Sequence, residues 1–290
     1  MTKTISKQYK NITVNPIAGS LGAEIQNVDL SETISDEIIS DVYQALLDFQ
    51  VIFFRNQKFE PISQKLFAKK IGTPVIYPFV KGLEDYPEIT PILKKETDIN
   101  NFGGIWHSDT TYQEKPPMGT MLYALETPEF GGDTEFANQY LAYESLSDGM
   151  REFLDTLQGV NISGKARVAK TRSDIMKHAS VGLKGDELKA IHPVIRTHPE
   201  TKRKSLYVNE AHTTHFVGMT EEESTPILEY LFKHQIKSEF TCRFHWQPGS
   251  VAIWDNRSVI HYAIADFFPG RGLGHERIMD RIAIEGDHPQ

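Results

Sequence analysis

The sequence predicts a mainly β protein with added helices (α+β), built on an antiparallel jelly roll. Short strand-like runs are scattered along the chain: "MLYAL" (121–125), "AIHPVIRTH" (190–198), "SLYVN" (205–209), "EFTCRFHW" (239–246), "SVAIWDN" (250–256) and "RIAIEG" (281–286). Turn residues separate them, while helical patterns gather early and in insertions. The regular strand-helix alternation of a doubly wound sheet is missing. With no internal repeat, low-complexity tract or long linker, the chain reads as one domain over 1–290.

The helices announce themselves by spacing and caps. Residues 35–50 place Ile38, Ile39, Val42, Leu46 and Leu47 at helical intervals behind a Ser/Asp start. The apolar "VIFFR" (51–55) that follows reads as a buried strand. Residues 60–72 carry Pro61 in the first turn and Gly72 just past the end, which predicts a second helix. Residues 147–159 repeat that grammar, with Ser147 as N-cap, Met150, Phe153, Leu154 and Leu157 as a stripe, and Gly159 as stop. In 220–235, either Thr220 with Glu223 forms a capping box, or Thr225 with Pro226 makes a second start.

Composition excludes several function classes. A net charge of −8 and the lack of a basic stripe argue against a nucleic-acid binder. Cys242 is the single cysteine, so the chain holds neither an internal disulfide nor a thiolate cluster, which suits a reducing, cytoplasmic setting. No stretch approaches the length needed to span a bilayer, and "MTKTISKQYKNITVNP" lacks a signal-type apolar run. "GRGLGH" (270–275) lacks the third glycine of a dinucleotide fingerprint and its βαβ setting, so it reads as a loop.

Chemistry concentrates in two distant segments. In "GGIWHSDTTY" (103–112), His107 and Asp109 are two apart, so on extended backbone the imidazole and carboxylate point to one side. Alone this is a weak signal. Downstream, residues 248–281 place His261 in an apolar setting and carry Arg277 and Arg281 four residues apart, on one face of a strand or a helix. Two histidines and one carboxylate form the ligand set that leaves one side of an iron(II) ion open. A zinc hydrolase could use the same donors. It would also need a general-base glutamate of the "HExxH" kind, and none stands beside the ligands. "HTTH" (212–215) is an i,i+3 pair without a third donor, and His192, His198 and His245 read as structural.

The stretches "WHSDTTYQEKPPMGTMLYALETPEFGGDTEFAN", "LYVNEAHTTHF" and "PGSVAIWDNRSVIHYAIADFFPG…RIMDR" resemble the taurine dioxygenase/2,4-dichlorophenoxyacetate dioxygenase family. The resemblance runs from "NPIAGSLGAEIQNVDL" to "EGDHP", nearly the whole chain. It implies a double-stranded β-helix (jelly-roll) core and an iron(II)- and 2-oxoglutarate-dependent dioxygenase that uses O2 and releases succinate and CO2. His107, Asp109 and His261 match the family's metal ligands. Thr134 and Arg277 match the residues that hold the 2-oxoglutarate carboxylate farther from the metal, and a planar guanidinium suits that task. About six extra residues, "RGLGHE", separate Arg277 from His261 relative to the family pattern.

For substrate, Tyr77 and Arg281 match retained pocket positions, and Arg281 matches the arginine that contacts sulfonate in taurine-oxidising members. Two other taurine contacts are replaced, by Pro74 and Gly103, and His212 stands where those members carry phenylalanine. Small Gly103 and Gly104 leave room near the metal, and Thr110 is a further pocket residue. The expected substrate is a small anion: a sulfonate, a sulfate ester or a carboxylate. Desaturation or ring closure are alternative outcomes with the same ligands. The family resemblance also implies a homodimer or homotetramer.

Overall fold

The computed structural model describes residues 9–95, 98, 100–179, 188–266 and 276–290. In chain order the first half runs β1 (Thr13–Pro16), β2 (Ala23–Gln26), α1 (Asp36–Phe49), β3 (Val51–Phe54), α2 (Pro61–Ile71), β4 (Pro74–Val75), β5 (Thr90–Lys94), β6 (Gly119–Glu126) and β7 (Thr134–Asn138). An insertion follows, with α3 (Gln139–Glu144), α4 (Asp148–Leu154), β8 (Gln158–Ile162), α5 (Ala166–Ala179), β9 (Lys189–Pro193), β10 (Ile195–Thr197), β11 (Lys204–Leu206), β12 (Thr213–Phe216) and α6 (Glu221–His234). The chain then returns through β13 (Thr241–Phe244), β14 (Val251–Asp255), β15 (Val259–Ala263) and β16 (Arg277–Ile284).

The mixed α and β architecture rests on an eight-stranded sheet in the order β1-β2-β3-β14-β6-β16-β4, with β5 paired to β16. Its pairings are antiparallel except β2 with β3. A three-stranded antiparallel sheet, β13-β7-β15, faces it. Side-chain alternation explains why strands such as "VIFF" are apolar at every position. Ile52 and Phe54 join Met121, Tyr123, Val251, Ile253 and Ile282 under helices α1 and α2. Their neighbours Val51 and Phe53 turn the other way, with Leu122, Ala252, Trp254 and Met279, towards Phe136 and Phe244 of the small sheet. Phe53 stacks on Phe244 with ring centroids 4.0 Å apart and joins the two sheets. Burying a ring of that size contributes about 1.5–3 kcal/mol.

The helix signals mostly hold. Ser35 caps α1 by accepting from the Ile38 N–H, and Pro61 opens α2, which ends at Gly72. The Thr220–Glu223 capping box starts α6, so Pro226 lies inside that helix and Thr225 is not a second start. One expectation fails. Ser147 does cap a helix, but α4 stops at Leu154, and Gly159 sits in strand β8 opposite His192. The Leu157 amide bonds the Leu154 carbonyl, its own carbonyl accepts from Val194, and ladder pairing then overrides the helical stripe. The run 190–198 is likewise two strands, and the run 281–286 is the end of the longer β16. Residues 270–275, read as a loop, lie outside the described residues. Among the described residues, no helix is long and apolar enough to cross a membrane.

Candidate active site

The site lies between the two sheets, where a short segment after β5 meets β15. His107 and His261 face each other in an isolated antiparallel bridge, each N–H donating to the other's carbonyl (3.1 and 2.8 Å). That bridge brings two distant histidines together, with ring centroids 4.1 Å apart. Asp109, two residues on, enters a turn and directs Oδ1 to 3.7 Å from His107 Nε2 and 4.0 Å from His261 Nε2. One ligand atom from each of the three side chains falls within 4.8 Å of the others, and no other group of this kind exists among the described residues. His215 of "HTTH" is in no such group; its Nδ1 meets Thr214 Oγ1.

Protonation states suit a metal. Burial lowers the pKa of both ligand imidazoles, His261 well below the ordinary value, so both rings are neutral. Burial by itself would raise the Asp109 carboxyl. The Arg281 guanidinium, with the Thr120 hydroxyl, overrides it and holds the group below the usual carboxylate range. Neutral imidazole and ionised carboxylate are the forms that coordinate. Oδ2 of Asp109 accepts from Thr120 Oγ1 at 2.6 Å, and Thr120 accepts in turn from Asn256 Nδ2 at 3.0 Å. Trp254 Nε1 fixes Asn256 Oδ1 at 2.9 Å. The Ile105 carbonyl accepts from His107 Nδ1 at 2.7 Å, which leaves Nε2 with its lone pair toward Asp109.

Strand β16 aims its two arginines into the space between the sheets, as a two-residue period demands. Both are buried. Arg277 lies 5.7 Å from the Trp246 ring, and the Trp246 indole N–H donates to Thr134 Oγ1 at 2.9 Å, so one indole ties the two residues together. Burial pushes the Arg277 guanidinium down to about 10, still cationic at neutral pH. Its Nε and Nη2 are buried without a hydrogen-bond partner. Two orphaned donors on one guanidinium edge fit an incoming carboxylate. Arg281 Nη2 stands 3.1 Å from Asp109 Oδ2, a charge contact without hydrogen-bond alignment, and its guanidinium lies 5.2 Å from the Tyr77 ring.

A cavity beside the triad is lined by Tyr77, Gly103, Thr110, His212 and Arg281, so the structure brings all five expected substrate-side residues together. Gly103 (φ +78°) and Thr110 (φ +45°) both adopt left-handed backbone, which is strained for a β-branched threonine. Gly104 does not widen the cavity; a Cβ there would lie 2.4 Å from Asn101 Nδ2, so its smallness serves packing. Pro74 is engaged in strand β4 against Ile284. Ile105 lines the cavity, whereas Trp106 stacks on Tyr262 and Ile253 faces the helices. His212 is neutral, held well below the ordinary value by burial, and its Nδ1 meets the Ile162 carbonyl at 3.3 Å. His192 pins the turn after Asp109 through the carbonyls of Thr111 and Gln113.

Sequence reasoning missed Arg172, Tyr112 and Phe102, which also line this cavity, and the Thr120–Asn256 support. Tyr112 belongs to the opening motif, yet its spacing carries no sign of its role. Arg172 sits on α5, and nothing in its local sequence shows that it reaches the cavity. The fold and the ligand set together define a non-haem iron oxygenase.

The comparisons agree. The family model for the taurine catabolism dioxygenase TauD, TfdA family matches residues 13–282. An alkylsulfatase of Acinetobacter baylyi is 31% identical over 300 residues, covering 99% of this chain and 89% of the relative. An alpha-ketoglutarate-dependent sulfate ester dioxygenase of Pseudomonas putida is 32% identical over 288 residues, covering 96% and 91%. A crystal structure of a taurine dioxygenase from Burkholderia xenovorans superposes with a TM-score of 0.81 at 33% identity, covering 97% of this chain and 93% of that one. The chain belongs to the TauD/TfdA family. It is an oxidoreductase that depends on iron(II), 2-oxoglutarate and O2. The zinc-hydrolase alternative finds no support among these relatives.

Proposed function

We propose that the enzyme oxidises a small organic anion, a sulfate ester or sulfonate ahead of a carboxylate, at a carbon held beside His107, Asp109 and His261. The observation that carries this reading is the buried Arg281, which places a fixed cation in the cavity that borders the triad. In this reading the three side chains hold iron(II), and Arg277 with Thr134 anchors the far carboxylate of 2-oxoglutarate. Bound iron, 2-oxoglutarate and O2 supply the oxidation: the keto acid is decarboxylated to succinate and CO2 and one oxygen atom goes to substrate carbon. The chain's own share is placement. Arg281 draws the anionic head to one wall, Tyr77, Thr110 and His212 shape the space around it, and Ile105 contributes an apolar wall that limits water. A substrate carbon bearing sulfate would, once hydroxylated, collapse to an aldehyde and free sulfate.

The two facing sheets support a double-stranded β-helix core. That β2 and β16, from opposite ends of the chain, belong to the same sheet supports one domain over 1–290. Similarity to a sulfate ester dioxygenase and an alkylsulfatase supports the anionic head group.

The test is turnover of hexyl sulfate, 1-hexanesulfonate, heptanoate and neutral 1-hexanol by the ferrous enzyme with 2-oxoglutarate. Succinate should form with at least one of the anions, hexyl sulfate or hexanesulfonate first, and not with hexanol. Equal coupling to hexanol would end the anion reading. Arg277→Met should raise the 2-oxoglutarate requirement while leaving iron affinity unchanged; an effect confined to the organic anion would mean that Arg277 and Arg281 exchange roles.

A further inference from the structure

We infer that Arg172, on α5, is a second anion-binding residue of the substrate cavity, and that with Arg281 it selects three-oxygen head groups, sulfate or sulfonate, over carboxylate. The inference rests on the reading of the cavity as an anion site and deepens it.

Arg172 is 2% exposed, yet its Nε and Nη1 have no hydrogen-bond partner. An unsatisfied buried guanidinium is costly. One of its nitrogens, Nη2, donates to the Ser163 carbonyl, and its plane lies 4.4 Å from the Phe79 ring. Those two contacts hold the group at the cavity wall and leave its other two donor positions for something that is not protein. Phe79 is itself wedged edge-on against Tyr77 and Tyr112, both of which line the same cavity. Among the described residues, the guanidinium is therefore held by the Phe79 ring and the Ser163 carbonyl rather than by a carboxylate.

The other arginine of the cavity differs in kind. Arg281 is already countered by Asp109 at 3.1 Å. Both side chains line the same cavity, and Tyr112 lines it with them. They come from separate elements, β16 and α5. A carboxylate has two oxygens in a plane, and one arginine satisfies both. A sulfate ester or sulfonate carries three terminal oxygens on a tetrahedral centre, which leaves an oxygen for a second donor set. A site with unpaired buried donors discriminates against a ligand that cannot reach them.

The test is anaerobic calorimetric titration of the ferrous, 2-oxoglutarate-loaded enzyme with hexyl sulfate, 1-hexanesulfonate and heptanoate, in wild type, Arg172→Met and Arg172→Lys. In Arg172→Met the dissociation constants for hexyl sulfate and hexanesulfonate should rise about tenfold to hundredfold, the value of a charge-assisted hydrogen bond. Heptanoate should change less than about threefold. Arg172→Lys should recover part of the loss, since it keeps the charge with fewer donors. 2-Oxoglutarate affinity, measured on the same preparations, should stay constant. An equal loss for all three anions, or no loss for any, would overturn the inference and leave the anion reading standing. A wild-type enzyme that binds none of the three would overturn that reading, and this inference with it.

Discussion

The two oxygens of Asp109 have different neighbours, and the difference controls the site. Oδ1 faces the two imidazoles, while Oδ2 is occupied by the Thr120 hydroxyl and the Arg281 guanidinium. Thr120 therefore fixes the orientation of the carboxylate. Thr120→Val keeps the shape and deletes the donor; iron(II) affinity in anaerobic titration should fall about tenfold to hundredfold, the usual cost of losing an outer hydrogen bond. Unchanged affinity would reduce Thr120 to a packing residue. Nothing in the local sequence marks Thr120, because its role depends on Asn256 and Trp254 arriving from β14 and its following turn. The histidine and carboxylate donors, in contrast, are visible by type and by their two-residue spacing.

At the scale of elements, the turn after β14 is held by a buried ionic knot. Arg257 Nε and Nη2 bond the two oxygens of Asp255 at 2.8 and 2.7 Å, and His198 Nε2 lies 3.0 Å from Oδ2. Asp255 is 1% exposed. Burial alone would raise its pKa; Arg257 and His198 outweigh it and hold the carboxyl below the ordinary carboxylate value. A lowered pKa stabilises the fold wherever the unfolded carboxyl is ionised, above about pH 4, and that contribution is lost as pH falls further. Asp255→Ala should cost about 3 kcal/mol at pH 7 in urea denaturation, because it leaves the buried Arg257 guanidinium with Glu200 as its one carboxylate partner among the described residues. The deficit relative to wild type should shrink below about pH 4. A constant deficit across that range would show that the loss is packing alone. Among the helices, α1, α2 and α6 were legible from caps and spacing. Helix α5 was not read from the sequence, where Arg167, Lys170 and Arg172 interrupt its apolar positions; Val168 and Arg172 are buried at the cavity.

Across the whole molecule, two of the three large apolar clusters contain no residue of the cavity. Two large clusters sandwich the eight-stranded sheet, and a third joins α3, α4 and α6 to β10, β11 and β12. The metal-free protein treated with EDTA should thus keep its far-ultraviolet circular dichroism and unfold cooperatively. Iron(II) at a hundredfold excess over its dissociation constant should add about 2.7 kcal/mol. Loss of secondary structure on chelation would show instead that the metal organises the sheets. By itself, the sequence determined the donor types, the starts of α1, α2 and α4 and the two arginines on one face of β16, because caps and strand alternation are local and repeat at short period. Of eleven histidines, the family resemblance singled out His107 and His261, while tertiary structure decided how they meet. It also decided that Gly104 packs rather than opens space, and that Arg172 reaches the cavity. Those outcomes depend on the register between distant strands, above all the His107–His261 bridge, which no local pattern encodes.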